Sequence, residues 1–157
     1  MAKVYLETSV VSYLVARRSR DLIVAGRQQL TIDWWEQERE NHELFASEIV
    51  LQEARAGDVT EIAKRLNVLV DVPLLDVSDE AIRLADLLLR RGIVPPKSGH
   101  DALHISVATY HQIDYLLSWN CKHIANAQVR KLVRRLFRAE GFESPEICTP
   151  AELGDLL

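Results

Sequence analysis

Short apolar segments that alternate with helical patterns place the strongest constraint on how this chain folds. These segments carry few polar side chains on either face, as expected for strands that are covered on both sides. Buried strands separated by helices form parallel sheets, so we predict an α/β protein with a mostly parallel central sheet covered on both faces. The predicted strands are residues 3–6, 43–47, 72–77, 115–117 and 146–148, and the predicted helices are residues 9–17, 20–40, 48–56, 58–69, 79–91, 101–111 and 129–138.

Composition narrows the class of protein further. An apolar content of 48% and a charged content of 27% are ordinary for a globular protein and exclude a disordered chain. A chain of 157 residues is expected to form one domain, residues 1–157. No apolar run approaches the roughly 18 residues that span a bilayer, and the first residues lack a secretory pattern, so we expect a cytoplasmic protein with no membrane contact. Cys121 and Cys148 lack paired spacing, which predicts reduced thiols and no structural zinc site.

Three acidic residues stand at positions that suit either local helix structure or a functional site. Glu7 follows the first predicted strand, so it is either a helix-start acid, with Thr8 or Ser9 as the N-cap, or a ligand. Glu53 borders the buried side of its predicted helix, where it is either solvated or part of a site. Asp101 begins a helix that is otherwise almost uncharged, so it is either an N-cap or a carboxylate that needs a partner.

A shared divalent cation would give all three carboxylates that partner. In open parallel sheets, ligands bind at the carboxyl ends of the strands, which is where Glu7 is expected to lie. Mg²⁺ and Mn²⁺ prefer oxygen ligands and keep several waters, so a few carboxylates from separate segments are sufficient. Such ions activate water for attack on a phosphodiester. The three acids together therefore predict a metal site that acts on phosphate esters.

The sequence gives weaker support to two other kinds of site, a zinc site and a nucleotide-binding site. The sequence HDALH, residues 100–104, resembles the HExxH zinc pattern. However, Asp101 stands in the place of the glutamate, and no third zinc ligand is evident. His104 is therefore expected to be a hydrogen-bonded core histidine. No glycine-rich turn follows a strand, so a Rossmann-like nucleotide-binding protein lacks support.

The predicted helix of residues 129–138 carries five basic residues and no acid. Its apolar residues lie on one face, so the basic residues are either a solvated outer face or a contact for phosphates. Arg130, Lys131 and Arg134 are the candidates for nucleic-acid contact. The net charge of −4 means that the whole chain does not attract nucleic acid, and any contact depends on this helix.

Three stretches in register resemble the PIN-domain family, and in particular the VapC-like toxins of type II toxin–antitoxin pairs. They are YLETSVVSYL, ASEIVLQEARAGD and GHDALHISVATYHQIDYLLSWNCKHIAN, which together span Lys3 to about Asn126. The resemblance implies a three-layer α/β/α sandwich around a mostly parallel sheet. It also implies a Mg²⁺- or Mn²⁺-dependent endoribonuclease that hydrolyses RNA phosphodiester bonds by a metal-activated water.

The resemblance assigns roles to individual residues. Glu7, Glu53 and Asp101 stand at the family's first three acids, as metal ligands, and Asn120 stands where many members have a fourth acid. Ser9 matches a hydroxyl that often supports the first acid. The family more usually has Asp in place of Glu7 and an acid in place of Asn120. The longer Glu7 side chain moves the carboxylate outward by about 1.5 Å. Because Asn120 is neutral, the negative charge of the site is reduced to about −3.

His123 and Asn126 follow the fourth predicted strand, where they are expected to orient the acids or the substrate. By the same resemblance the expected partners are an RNA substrate, a small antitoxin protein that covers the site, and a second copy of the chain in a homodimer. The alternative is a non-catalytic PIN-like module that binds RNA or an antitoxin but holds metal too weakly to cut.

Overall fold

A computed structural model describes residues 1–154 of the chain and contains a five-stranded sheet. In sheet order the strands are β3, β2, β1, β4 and β5, and every adjacent pair is parallel. The strands are β1 (Ala2–Leu6), β2 (His42–Ser47), β3 (Leu74–Leu75), β4 (Tyr115–Leu117) and β5 (Glu146–Cys148). The predicted parallel α/β architecture is therefore confirmed.

Seven α-helices connect or follow these strands within the described residues. They are α1 (Thr8–Val15), α2 (Leu22–Glu38), α3 (Glu48–Ala54), α4 (Val59–Leu69), α5 (Asp79–Arg90), α6 (Gly99–Tyr110) and α7 (Ala127–Ala139), and a short 3₁₀ turn covers Arg39–Asn41. No helix among residues 1–154 has the length and apolar character needed to cross a membrane.

The strand order explains how the helices form two layers. The chain moves outward from β1 through β2 to β3, then crosses to the other side of β1 to form β4 and β5. Because such crossovers are right-handed, the reversal of direction places α1–α4 on one face and α5–α7 on the other. Helix α1 contacts α2, α3 and α4, and α5 packs along α6, which agrees with this division. The result is the three-layer α/β/α sandwich, with a switch of chain direction between β1 and β4.

The apolar core accounts for the central position of β1 and β4. Val4, Tyr5 and Leu6 in β1 and Leu116 and Leu117 in β4 are completely buried. Helices cover both faces of the sheet, so successive side chains on opposite faces of each strand are all removed from water. This is why the buried residues 4–6 of β1 and 116–117 of β4 carry no charge and do not alternate with exposed ones, while Lys3 near the start of β1 is exposed.

Several predicted boundaries differ from the structure. Helix α1 begins at Thr8, and its N-cap is Glu7, so the prediction of Thr8 or Ser9 as the N-cap was wrong. Helix α6 begins at Gly99 after Ser98, which places Asp101 inside the first turn and rules it out as the N-cap. The extended segment predicted for residues 72–77 contains only the two-residue strand β3. Helices α1 and α2 are each shorter than predicted.

The buried β4 strand makes a testable prediction about stability. Leu116→Ala removes a completely buried side chain from the middle of the sheet and leaves a cavity. We expect a loss of about 2–5 kcal/mol in the free energy of unfolding, measured by urea denaturation. Leu22→Ala is the matched control, because Leu22 is 87% exposed, and it should change stability by no more than about 0.5 kcal/mol. Equal effects of the two substitutions would contradict this packing of β4.

Candidate metal centre

Glu7 lies at the carboxyl end of β1, beside the end of β4. Its backbone N–H donates to the Leu117 carbonyl oxygen at 3.1 Å, which extends the pairing of the two strands by one residue. Its side chain is only 5% exposed, and the carboxylate accepts hydrogen bonds from Ser9 N–H at 3.1 Å, from the Ser9 hydroxyl and from the Ser118 hydroxyl at 2.6 Å. Three donors thus offset the cost of burying this carboxylate.

These contacts explain how the longer side chain of a glutamate is accommodated. The Glu7 carboxylate turns back over the first turn of α1, where it caps the helix through Ser9 N–H. It also reaches Ser118 on the neighbouring strand end. The residue is therefore both a helix-start acid and a member of the acidic cluster, and the two roles that the sequence left open are combined.

Glu53 lies in the last turn of α3, and its carboxylate turns toward the same end of the sheet. Its Oε1 atom accepts from the Thr8 hydroxyl at 2.6 Å and contacts Nε2 of His104 at 2.6 Å. Nδ1 of His100 lies 3.5 Å from the other oxygen, Oε2. Helices α1 and α6, which lie on opposite faces of the sheet, thus both hold the Glu53 side chain.

One ligand atom each of Glu7, Glu53 and His104 lies within 4.8 Å of the others. The two carboxylates are therefore close enough to share one cation. His104 is completely buried, and Nδ1 contacts the Tyr5 hydroxyl at 2.7 Å while Nε2 contacts Glu53. Because both ring nitrogens have partners, His104 is the hydrogen-bonded core histidine that the sequence predicts.

Asp101 is half-buried in the first turn of α6, one helical turn before His104. Burial raises its pKa, and so does the negative charge of Glu7. The nearby positive charges of His104 and His123 and the side-chain amide of Asn120 lower it, but they do not compensate fully. Asp101 thus lies in the same electrostatic environment as Glu7, and a cation between the two would relieve their repulsion.

The pKa shifts of Glu53 and His104 favour the charged form of each residue, whereas the shift of Asp101 disfavours its charged form. Burial opposes ionisation of Glu53, but the hydrogen bond and charge of His104 and the Thr8 hydroxyl outweigh it and lower the Glu53 pKa to about 2. Burial also opposes protonation of His104, but Glu53, Glu7 and Asp101 raise its pKa. Both shifts favour a charged pair, in which Glu53 keeps its negative charge at every physiological pH.

The donor set suits a hard divalent cation. Carboxylate oxygens of Glu7, Glu53 and Asp101 are the ligand type that Mg²⁺ and Mn²⁺ prefer. Burial and the negative charge of Glu7 raise the pKa of Asp101, so the charged form of Asp101 is disfavoured when no cation is near. The residues present therefore fit such an ion.

The remaining predicted site residues surround the end of β4. Oδ1 of Asn120 accepts from His123 N–H at 3.1 Å, so its amide group is the part that remains for Asp101. The Ser9 hydroxyl accepts from Trp119 N–H at 2.8 Å and donates to Glu7. Asn126 caps α7, where its side-chain oxygen accepts from Gln128 N–H at 3.0 Å and from Val129 N–H at 3.4 Å.

Sequence reasoning missed two hydroxyl groups and one contact of the cluster. Ser118 and Thr8 donate to Glu7 and Glu53, and His104 was not predicted to contact Glu53. Ser118 lies directly after β4, at the carboxyl end of a strand beside β1, and that position is the signal that identifies it. No comparable sequence signal connects Thr8 or His104 with Glu53.

The basic helix α7 is partly neutralised. Arg134 forms an ion pair with Glu146 at 3.2 Å, and Arg130 contacts the Ile147 carbonyl oxygen at 3.4 Å. Lys131 has no ion pair among residues 1–154. The geometry therefore leaves Lys131 as the freest of the three candidates for contact with phosphates.

Comparisons with known proteins give structural matches only. No family model matches the sequence, and a search of curated proteins gives no match. Among solved structures, the chain is similar to one of VapBC2 from Rickettsia felis bound to a DNA fragment from their promoter, with a TM-score of 0.57 and 15% identity over 94% of this chain and 98% of that one. It is also similar to VapBC-5 from Mycobacterium tuberculosis, a member of the VapBC family of toxin–antitoxin systems, with a TM-score of 0.51 and 19% identity over 95% and 99% of the two chains.

The fold is therefore PIN-like. The chain shares its architecture, over nearly its whole length, with chains of VapBC toxin–antitoxin structures. This agrees with the fold that the three sequence stretches imply.

The ion pair of Glu53 and His104 makes a prediction about pH. The Glu53 pKa is lowered from 4.5 to about 2, so its contribution to stability is complete above about pH 4.5 and is lost as the pH falls toward 2. The His104 pKa is raised from 6.5, so its contribution is complete below pH 6.5 and is lost as the pH rises through the raised value. The pair therefore stabilises the metal-free protein most between about pH 4.5 and 6.5.

Glu53→Gln tests this window. The difference in melting temperature between wild type and variant, measured without divalent ions, should be largest between about pH 4.5 and 6.5 and should shrink toward pH 2. A difference that is constant from pH 2 to 6 would show that Glu53 is not paired in this way.

Proposed function

We propose that this protein is a VapC-like toxin, a Mg²⁺- or Mn²⁺-dependent endoribonuclease that acts in the cytoplasm. The observation that carries the proposal is the position of Glu7 and Glu53 at the switch point of a PIN-like fold, with Asp101 in the first turn of α6 and influenced by the charge of Glu7. The Glu7 and Glu53 carboxylates lie within reach of one cation, and the negative charge of Glu7 helps to raise the pKa of Asp101. The three acids come from three separate sequence stretches, which supports a site rather than a chance surface cluster.

Each side chain has a definite part in this site. Glu7 is held by three hydrogen bonds and Glu53 by two, so both carboxylates are fixed before a metal arrives. Asp101 completes the ligand set, and Asn120 orients Asp101 through its amide because its carbonyl oxygen is already bonded to His123 N–H. When bound, a divalent cation supplies an activated water and neutralises charge on a phosphodiester.

The proposed substrate follows from the chemistry of the site. A scissile phosphate placed at the metal would let water attack in line, with the 3′ oxygen as the leaving group. The 2′-hydroxyl of RNA then serves recognition and does not attack. On α7, Lys131 would contact the backbone phosphates of the RNA, and Arg130 and Arg134 would contact them more weakly.

The proposed partners rest on the same fold. The two similar structures contain VapBC toxin–antitoxin proteins, one of them bound to promoter DNA. We infer that a small antitoxin covers the acidic site of this chain. An antitoxin arginine placed among the three carboxylates would neutralise their charge, as a metal cation would. We also propose a homodimer, as expected from the resemblance to VapC-like toxins.

Replacing the third acid tests the proposal directly. Asp101→Asn should abolish Mn²⁺-dependent RNA cleavage and the toxicity of the protein when it is expressed in cells. Because Glu7 and burial raise the Asp101 pKa, loss of this charge should also raise the melting temperature without metal, by about 2–4 °C for each kcal/mol of repulsion relieved. Thermal denaturation with and without Mn²⁺ measures both effects.

Glu43→Gln is the matched control. Glu43 is an exposed acid near the amino-terminal end of β2, away from the carboxyl ends of the strands, so this variant removes one negative charge outside the site. It should keep both cleavage and stabilisation by Mn²⁺. Undiminished toxicity of Asp101→Asn would contradict the assignment. Failure of the wild type to bind millimolar Mn²⁺ in calorimetry would favour a non-catalytic module that binds RNA or an antitoxin.

The proposed reaction also determines the ends of the products. Attack by water with departure of the 3′ oxygen leaves a 5′-phosphate on one fragment and a 3′-hydroxyl on the other. Treatment of cleaved RNA with a 5′-phosphate-dependent exonuclease should therefore degrade the downstream fragment. A 2′,3′-cyclic phosphate on the upstream fragment would show that the 2′-hydroxyl attacks and that the mechanism is wrong.

A further inference from the structure

A line of buried hydrogen bonds runs from the core of the sheet to Glu53. The Ser47 hydroxyl lies 2.7 Å from the Tyr5 hydroxyl, which lies 2.7 Å from Nδ1 of His104, and Nε2 of His104 lies 2.6 Å from Oε1 of Glu53. Ser47, Tyr5 and His104 are all completely buried. We call these four side chains the Ser47–Glu53 relay.

The relay has a defined polarity at its outer end. An ionised carboxylate only accepts hydrogen bonds, so Nε2 of His104 must carry a hydrogen and donate a hydrogen bond to Glu53. The two hydroxyls at the inner end can each donate or accept, so Tyr5 and Ser47 satisfy Nδ1 whichever way its own bond is directed. No buried side-chain N or O atom of Ser47, Tyr5 or His104 lacks a hydrogen-bond partner, and the two bonds of His104 hold the plane of its ring.

The position of Glu53 explains why such support matters. Glu53 is in the last turn of a seven-residue helix, and a glutamate side chain has many rotamers. Thr8 and His104 both bond the same oxygen, Oε1, and so favour one rotamer, in which Oε2 lies 3.5 Å from Nδ1 of His100. Thr8 is next to Glu7, and His104 is one turn after Asp101, so the groups that hold Glu53 belong to the elements that carry the other two acids.

We propose that His104 is a positioning residue that fixes the Glu53 carboxylate for the divalent cation, and that Tyr5 and Ser47 hold its ring. The inference rests on the proposed metal site but adds a residue to which the resemblance assigned no role in it. His104 does not itself bind the cation, because both of its nitrogens are already bonded. Residues that orient metal ligands in this way commonly change metal affinity by about 10–100-fold when they are replaced.

Two substitutions at His104 separate positioning from simple packing. A glutamine amide nitrogen can replace Nε2 and keep the bond to Glu53, whereas an asparagine amide is shorter and can replace only Nδ1. Both variants leave space around a buried side chain, so both should lower the melting temperature by similar amounts. Only His104→Asn should weaken binding of Mn²⁺ alone, by about 10–100-fold in calorimetry, and His104→Gln should remain within about 3-fold of the wild type.

Crystal structures of the metal-free variants provide a readout that does not depend on metal. Glu53 should keep its rotamer in His104→Gln and leave it in His104→Asn. Equal Mn²⁺ affinity in both variants, or an unmoved Glu53 in His104→Asn, would overturn the positioning role. A wild type that binds no Mn²⁺ would instead refute the proposed function, and the Glu53 rotamer would then still decide the role of His104.

Tyr5→Phe provides a second test if His104→Asn does not fold. It removes one hydroxyl from a completely buried ring and keeps its shape, while it releases Nδ1 of His104 and the Ser47 hydroxyl. Mn²⁺ should bind more weakly by about 3-fold or more, with Glu53 in more than one rotamer. Unchanged affinity together with an unchanged Glu53 rotamer would contradict the relay.

Discussion

The structure depends on keeping negative charge buried where two central strands end. Glu7 is almost completely covered, and its carboxylate is tolerated because donors from α1 and from the end of β4 surround it. Those donors require α1 to begin directly after β1, and they require β4 to lie beside β1. The local chain reversal, the strand order and the acidic cluster are therefore parts of one arrangement.

The two halves of the site differ in electrostatic design. Against the effect of burial, the hydrogen bond and charge of His104 lower the pKa of Glu53, whereas burial and the charge of Glu7 raise the pKa of Asp101. In the metal-free protein, hydrogen bonds satisfy the carboxylates of Glu7 and Glu53, whereas the charged form of Asp101 is disfavoured. Under the proposed function, a cation or an arginine from a partner would offset this unfavourable charge and so stabilise the protein.

The segment after β4 contributes neutral hydrogen-bonding groups to the acidic cluster. Oδ1 of Asn120 accepts from His123 N–H, and the Asn120 side chain partly counters the rise in the pKa of Asp101. The Ser118 hydroxyl accepts from Asn120 N–H at 2.9 Å and donates to Glu7. The segment after β4 therefore supports the acids through hydrogen bonds, and the negative charge comes from Glu7, Glu53 and Asp101.

The sequence by itself determined the α/β class and the approximate positions of all five strands, and it indicated the three candidate acids, because apolar periodicity and short motifs are local properties. It did not determine that Glu7 caps α1, or that Thr8 and His104 hold Glu53. Those contacts join residues 45 and 51 positions apart, and Ser118 reaches Glu7 across 111 positions. Only the sheet order brings such side chains together, since the outward path to β3 and the return to β4 place distant strand ends side by side.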